Sequence, residues 1–299
     1  MTPALLRVRS AAALAALALV ATAAGTAAAA PAAPGAAAPA AVAPAAASTA
    51  GTRIVAVGDI ASSGGAQSRT AAIVTKRQAQ RLVALGDLAY NAGSKSNFAN
   101  YYNPSYGKFK AITWPVPGNH EYMTSGASGY KAYFGITGVT WWAHRIGSWT
   151  VIGLDSEKAG SATQLAFLKS ALAANNGRPT IVAWHRPRFS TGEHRNATDT
   201  QTIWATAARD RDVKIVLWGH DHDYERMTVP VTSTHQVQAF VVGTGGAELR
   251  SFATGYGPFT VKRISGSYGV LDLRLRSTGW SWFFVRTNGT VGDSGSRAL

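Results

Sequence analysis

Arg53-Ile54-Val55-Ala56-Val57-Gly58-Asp59 and Val213-Lys214-Ile215-Val216-Leu217-Trp218-Gly219-His220-Asp221-His222 decide the fold. Each is a short apolar run, rich in β-branched residues, that stops at a glycine and delivers polar side chains at its carboxyl end. The pattern recurs three more times. Arg81 to Leu85 ends in Gly86-Asp87, Thr113 to Val116 leads through Pro117-Gly118 to Asn119-His120, and Pro179 to Trp184 ends in His185. Continuous apolar runs of this length read as strands buried on both faces. Between them, Ala66–Arg77, Ser161–Ala174 and Thr198–Ala208 read as helices, the second stopped by Asn176-Gly177. Alternating strands and helices predict α/β layering with covering helices.

The chemistry gathers at the carboxyl ends of these strands, where open α/β sheets place their ligand sites. Asp, Asp, Asn, His and a His-x-His pair all arrive there. These oxygen and imidazole donors are the set used for Zn, Mn and Fe. A glycine before a ligand lets the backbone turn sharply and come close to an ion. Each fragment alone has a plain reading: Gly58-Asp59 and Gly86-Asp87 as turns, Gly118-Asn119-His120 as a loop, His185 as a satisfied buried histidine. Five fragments in this order, all at strand ends, point to one shared metal site.

Composition narrows the class. The chain has 299 residues, with 29 Lys plus Arg against 15 Asp plus Glu, a formal charge of +14. Arg7 and Arg9 are the only charged side chains before Arg53, so the remainder keeps 27 bases, the same 15 acids and a charge of +12. An apolar fraction of 46% excludes a disordered or collagen-like chain, and the pattern excludes a coiled coil and a polytopic membrane protein. With no cysteine there is no disulfide scaffold, thiol nucleophile or Cys-ligated metal.

Met1 to Ser10 carries two arginines and no acid, Ala11 to Ala21 is apolar, and small residues follow through Ala30. This predicts a secretory signal peptide over 1–30. Its apolar core is too short for a span of about 20 residues, so no stable membrane insertion is expected after cleavage. Pro31 to Thr52 is Ala, Pro, Gly, Ser and Thr with one valine, and reads as a flexible linker over 31–52. The expected catalytic domain is 53–299, in a secreted, extracytoplasmic protein.

Gly58-Asp59, Gly86-Asp87-Leu88-Ala89-Tyr90, Gly118-Asn119-His120-Glu121, strand-end His185 and Gly219-His220-Asp221-His222 together resemble the calcineurin-like metallophosphoesterases. Asp87 to Tyr90 and Gly219 to Arg226 resemble the small, single-domain purple acid phosphatase branch, and the likeness runs from Arg53 to the end. The resemblance implies a metallophosphoesterase-type β-sandwich of two mixed sheets flanked by α-helices. It implies two metal ions. Asp59, Asp87, Tyr90 and His222 would hold the first, and Asp87, Asn119, His185 and His220 the second, with Asp87 bridging.

The commoner branch of the superfamily has histidine two residues after the first aspartate; here Ala61 stands there, and Tyr90 fills the vacancy. A phenol with a pKa near 10 needs a strongly charged ion to be held as phenolate. That favours Fe(III) at the Tyr90 site, with Fe, Zn or Mn at the second. The implied nucleophile is metal-bound hydroxide, attacking a phosphate clamped by both ions. By resemblance, His120 contacts the phosphate and His194 protonates the leaving alkoxide.

Other features receive plainer readings. Arg186 and Arg188 flank Pro187 just beyond a ligand, and either meet phosphate or are solvated loop arginines. Trp141-Trp142 reads as the start of a strand, and Gly243-Thr244-Gly245-Gly246 as a tight turn at the rim of the site.

The expected function is that of an exported dinuclear-metal phosphatase hydrolysing phosphomonoesters, with a small phosphate ester as partner. The same core supports a phosphodiesterase or nucleotide hydrolase. A different class is a catalytically weak protein binding phosphate or an anionic wall through its positive charge. No zinc finger, aromatic-rich RNA motif or Lys/Arg block appears, so no specific nucleic-acid partner is expected.

Overall fold

The computed structural model describes residues 51–299. The expected signal peptide and all but the end of the expected linker lie outside the described residues. The first described strand, β1, spans Thr52–Val57 and so includes the last residue assigned to the linker.

Thirteen strands form two mixed sheets. The first contains β1, β2 (Arg81–Leu85), β3 (Thr113–Val116), β11 (Gly269–Arg276), β12 (Gly279–Arg286) and β13 (Val291–Ala298), in the order β13-β12-β11-β1-β2-β3. Here β1, β2 and β3 are parallel, and β11 runs antiparallel to β1 with Ile54 opposite Leu273. The second sheet is built from β4 (Trp142–Ile146), β5 (Trp149–Gly153), β6 (Thr180–Ala183) and β7 (Val213–Trp218). It is completed by β8 (Tyr224–Pro230), β9 (Gln236–Val242) and β10 (Thr260–Ile264), in the order β10-β8-β9-β7-β6-β5-β4. Strands β5, β6, β7 and β9 are mutually parallel, with antiparallel strands outside them. The expected sandwich of two mixed sheets is the observed fold.

Alternation along each strand explains why the apolar runs are unbroken. Ile54, Ala56, Val83 and Leu85 face Ile181, Ala183, Ile215 and Leu217 across the space between the sheets, where Trp149, Trp280 and Trp282 also pack. The intervening Val55, Val57, Leu82 and Ala84 face outward onto Ile73 and Val74 of the helix Gln67–Arg77. On the other side, Ile152, Val182 and Val216 pack under Leu168 and Leu172 of the helix Ala162–Ala173 and Trp204 of Gln201–Ala208. Both faces of the central strands are therefore covered, and each buried Val, Leu or Ile contributes about 1.5–3 kcal/mol relative to exposure. The third expected helix begins as a 3-10 turn, Thr198–Thr200, before becoming α-helical.

The parallel strands of both sheets point their carboxyl ends the same way. That direction brings Asp59, Asp87 and Asn119 from one sheet to His185, His220 and His222 from the other.

Candidate metal centre

Left-handed backbone marks three of the expected ligands. Asp59, Asp87 and His220 have φ of 56°, 51° and 72°. Such conformations cost non-glycine residues about 1–3 kcal/mol each and gather at functional sites. Each follows a glycine, and two glycines have a steric reason to be there. A Cβ on Gly86, itself at φ +85°, would lie 2.5 Å from His185 Nδ1, and one on Gly118 would strike the Asp87 carboxylate. These turns interlock: Asp59 N–H donates to Gly86 O at 3.0 Å, and Ile60 N–H donates to Asp87 O at 2.9 Å.

Donor atoms converge in two adjoining groups that share Asp87. In one, the Tyr90 hydroxyl lies 2.9 Å from Asp59 Oδ1, 3.3 Å from Asp87 Oδ2 and 3.0 Å from His222 Nε2. His222 Nε2 is itself 3.3 Å from Asp59 Oδ1. In the other, His185 Nε2 sits 3.2 Å from Asp87 Oδ2 and 3.2 Å from His220 Nδ1. The ligand atoms of Asp87, His185 and His220 all lie within 4.8 Å of one another. Asn119 Oδ1 is buried beside this cluster's strand ends and has no hydrogen-bond partner.

Second contacts fix the tautomers and orientations. His185 Nδ1 meets Leu85 O at 2.7 Å and His222 Nδ1 meets Glu248 O, so both rings carry a proton there and turn Nε2 toward the site. Asp59 Oδ2 accepts from the His220 amide at 2.8 Å, and Asp87 Oδ1 accepts from the His120 amide at 2.9 Å. The remaining oxygens, Asp59 Oδ1 and Asp87 Oδ2, are left facing the donor groups.

The electrostatics show a demand for positive charge. Burial opposes protonation of His185, yet Asp87 outweighs it and lifts the His185 pKa to about 10. Burial and then His185 push His220 down to about 2. Burial acts to raise Asp87, but His185 and its neighbours hold it well below the usual carboxylate range. Burial, then Asp59 and Asp87, push the Tyr90 phenol well above its ordinary value. Imidazole nitrogens, two buried carboxylates, an orphaned amide oxygen and a phenol converging at short range fit metal cations by donor chemistry.

Ala61 offers no ligand but still serves the site. It is fully buried, bridges Ala89, and its carbonyl accepts the Tyr90 amide at 2.7 Å. The position that lacks a histidine therefore fastens the turn that presents the phenol.

His120 and His194 lie at the rim. His120 Nε2 is 3.8 Å from Asp87 Oδ2, and its ring packs 4.4 Å from that of Tyr90. His194 stacks on His220 at 4.2 Å, and its Nε2 accepts from Arg250 Nη1 at 2.6 Å. An open cleft of about 520 Å³ is lined by Tyr90, His120, His222, Glu248 and Arg250, among others.

Two residues that sequence reasoning left aside matter here. Glu121 is fully buried, and its carboxylate accepts the amides of Asp87, Leu88 and Gly118, each at 2.8 Å. It ties the Asp87 turn to the Asn119 turn, and burial followed by the Asp87 charge raises its pKa to about 8. Its place directly after Gly118-Asn119-His120 was the available signal. Arg250 had none, because it reaches the cleft from a long loop. Arg186 pairs with Glu157 at 2.6 Å, and Arg188 bonds Gln201. Gly243 to Gly246 forms the expected rim turn, with Gly245 N–H donating to Gly58 O at 3.0 Å.

Solved structures share this architecture. Purple acid phosphatase PPD1 from yellow lupin (Lupinus luteus) seeds superposes with a TM-score of 0.71 at 19% identity, over 83% of this chain and 53% of that one. The chain thus spans about half the lupin protein's length. GAP50, the anchor in the inner membrane complex of Plasmodium, gives 0.70 at 16% identity, over 84% of this chain and 90% of that one. A dimetal phosphatase from Danio rerio gives 0.53 at 13% identity, over 83% and 98%. At these identities the likeness concerns the fold alone. No curated protein matches by sequence. The calcineurin-like phosphoesterase profile, however, matches residues 52–224, more than half of the chain and every strand end described above. Strand-end donors, interlocked turns and that match agree: the chain belongs to the calcineurin-like phosphoesterase family.

Proposed function

We propose that this protein is an exported dinuclear-metal phosphatase of the purple acid phosphatase type, acting on phosphomonoesters. Family membership supports a phosphoric ester hydrolase. The observation that carries the finer reading is the Tyr90 hydroxyl, which meets Asp59, Asp87 and His222 at 2.9–3.3 Å while Ala61 replaces the alternative ligand.

Asp59, Asp87, Tyr90 and His222 would hold one ion, and Asp87, Asn119, His185 and His220 the other. Fe(III) suits the phenol-bearing group, and Fe, Zn or Mn the second. When bound, two cations supply the positive charge that a phosphate ester and its attacking water require. The chain's own residues do the rest. Asp59 and Asp87 offer compensating negative charge, and Glu121 keeps the Asp87 turn in place. His120, whose Nδ1 donates to Asn91 O, lines the cleft where a phosphoryl oxygen would lie. Arg250 contributes a partly exposed guanidinium, 33% accessible, at the same mouth. A rim of histidine and arginine favours the dianionic head of a monoester over the single charge of a diester. His194 lies where a leaving group could take a proton from it. In the tautomer set by Arg250, the His194 proton is on Nδ1.

The test combines elemental analysis, a visible spectrum and turnover of matched phosphomonoesters and phosphodiesters. Two metals per chain, a phenolate-to-iron band and faster monoester turnover are expected. Tyr90→Phe should abolish the band while the protein remains folded; an unchanged band removes Tyr90 from the ligand set. Diester preference would shift the reading to a phosphodiesterase. Export rests on the basic and apolar leader of residues 1–30, and amino-terminal sequencing of protein recovered outside the cell tests it.

A further inference from the structure

The end of the sandwich opposite the metal centre carries an array of cations. Arg53 and Arg81 stand at the starts of β1 and β2. Arg274 pairs with Arg53 across the sheet, and Arg276 lies just beyond the partner of Thr52. From the second sheet, Arg145 pairs with Thr150 near the start of β5, and Lys214 is the second residue of β7. The acids among these strand beginnings are few. Asp272 is wholly buried and spent on Arg53 and Arg77, at 3.4 and 3.7 Å. Asp210 and Asp212 sit in the turn before β7. By contrast, Asp59, Asp87, Glu121, Asp221 and Asp223 crowd the cleft end.

Within this array lies a concavity of about 430 Å³, lined by Arg53, Gln78, Gln80, Arg274, Arg276 and the Gly51 backbone. No acidic and no aromatic side chain lines it. Arg274 stacks on Phe283 at 4.7 Å, and its Nε is buried with no hydrogen-bond partner. Three arginines and two amide side chains with no acid among them match a phosphoryl group, which accepts several hydrogen bonds and neutralises charge.

We infer that this concavity is a non-catalytic docking site for a linear phosphate polymer, whose successive phosphates also meet the flanking cations at the same end. A polymer fits better than a single phosphate, because Arg81, Arg145 and Lys214 extend the positive field beyond the concavity. It fits better than a lipid bilayer, because a flat surface would not fill a recess. Nucleic acid would lack a stacking partner in the recess. With this end engaged, the cleft faces away from the polymer and stays open to small substrates. The inference concerns binding alone and stands whether or not the cleft hydrolyses phosphomonoesters.

The test measures binding of fluorescent long-chain inorganic polyphosphate to the purified protein across a salt series. Arg53 stays in place because it compensates Asp272. The double variant Arg274→Gln/Arg276→Gln should bind about tenfold more weakly or worse, and its salt slope should fall by about two. Asp87→Asn, altered in the cleft, should bind as the unaltered protein does. If Asp87→Asn loses binding, or the double variant keeps it, the site is elsewhere and the inference fails. Inorganic phosphate, phosphatidylglycerol vesicles and a single-stranded oligonucleotide serve as comparisons. Equal or tighter binding of any of these, with the same arginine dependence, overturns the polymer as occupant. Arg276→Glu alone, at an exposed position, should show the same direction of effect and keeps the test decisive if the double variant does not fold.

Discussion

Asp87 is engaged from every side. Its two oxygens meet His185, Tyr90 and the His120 amide, and its own amide is taken by Glu121. Asp87→Asn preserves shape but removes the only charge shared by both donor groups. We expect loss of at least one metal and a fall in turnover of about 10³-fold or more, since electrostatic stabilisation is the largest catalytic contribution in such sites. Metal content and turnover measured together check this; retention of both metals with near-normal turnover removes the shared role. His194→Ala should act selectively. A leaving-group acid is worth about 10²–10⁴-fold, and chiefly for alkyl phosphates, whose alkoxide needs a proton. An aryl phosphate, which releases a stable phenolate, should be nearly unaffected, and equal losses on both would place His194 in binding instead. The donors were legible because glycine turns and short spacings keep each beside its strand. Glu121 carries no such signal for its role, because hydrogen bonds to amides 33 and 34 residues away leave no spacing to read.

Strands were the easiest elements to read. Mostly apolar runs fixed β1, β2, β3 and β7 to within a residue, because each stops abruptly at a glycine or a Pro-Gly turn. The segment Lys95–Ile112 was not read, since it passes through α, π and 3-10 turns, so the four-residue spacing of Phe98, Tyr102 and Tyr106 belongs to no single regular helix. The carboxyl-terminal strands complete the first sheet and join it to the second. Asp293 on β13 accepts from Tyr224 at 2.8 Å and from Arg226 Nε at 2.6 Å, both on β8, and from Trp282 on β12 at 3.2 Å. Burial acts to raise its pKa, but Arg226 and Tyr224 outweigh it and hold it below the usual range. A depressed carboxylate stabilises the fold above its unfolded pKa of about 3.9, and that contribution is lost as pH falls through the folded value. Asp293→Asn should therefore cost about 2–3 kcal/mol at neutral pH, by leaving Arg226 without its partner. It should also flatten the acid limb of a stability-against-pH curve. Urea titrations of both proteins from neutral pH to about pH 3 measure this; parallel curves would show that the clamp carries no net charge energy.

At the scale of the molecule, the donors come from both sheets, so whatever cations they hold also fasten one sheet to the other at the cleft end. Asp59, Asp87 and Asn119 follow β1, β2 and β3, while His185, His220 and His222 follow β6 and β7. Without cations, Asp59 and Asp87 of the first sheet lose the bridge to the histidines of the second. A ligand that binds only the folded state stabilises it by RT ln(1 + [L]/Kd), about 4 kcal/mol when free metal exceeds Kd a thousandfold. For a fold of this size, each kcal/mol shifts Tm by about 2–4 °C. Stripping the metals with a chelator should thus lower Tm by roughly 10 °C. Adding metal back should restore it, in the presence of inorganic phosphate or not. Asp87→Asn should show a much smaller chelator effect, because its pair of donor groups is already uncoupled. Hydrogen exchange should report the loosening first at Gly58 to Tyr90 and Gly219 to Tyr224, with β12 and β13 unaffected at their far ends. Calorimetry with and without chelator decides the matter: an unchanged Tm, with metal loss confirmed by elemental analysis, would mean that the sheets are joined by their apolar core alone and that the donors serve chemistry without serving stability.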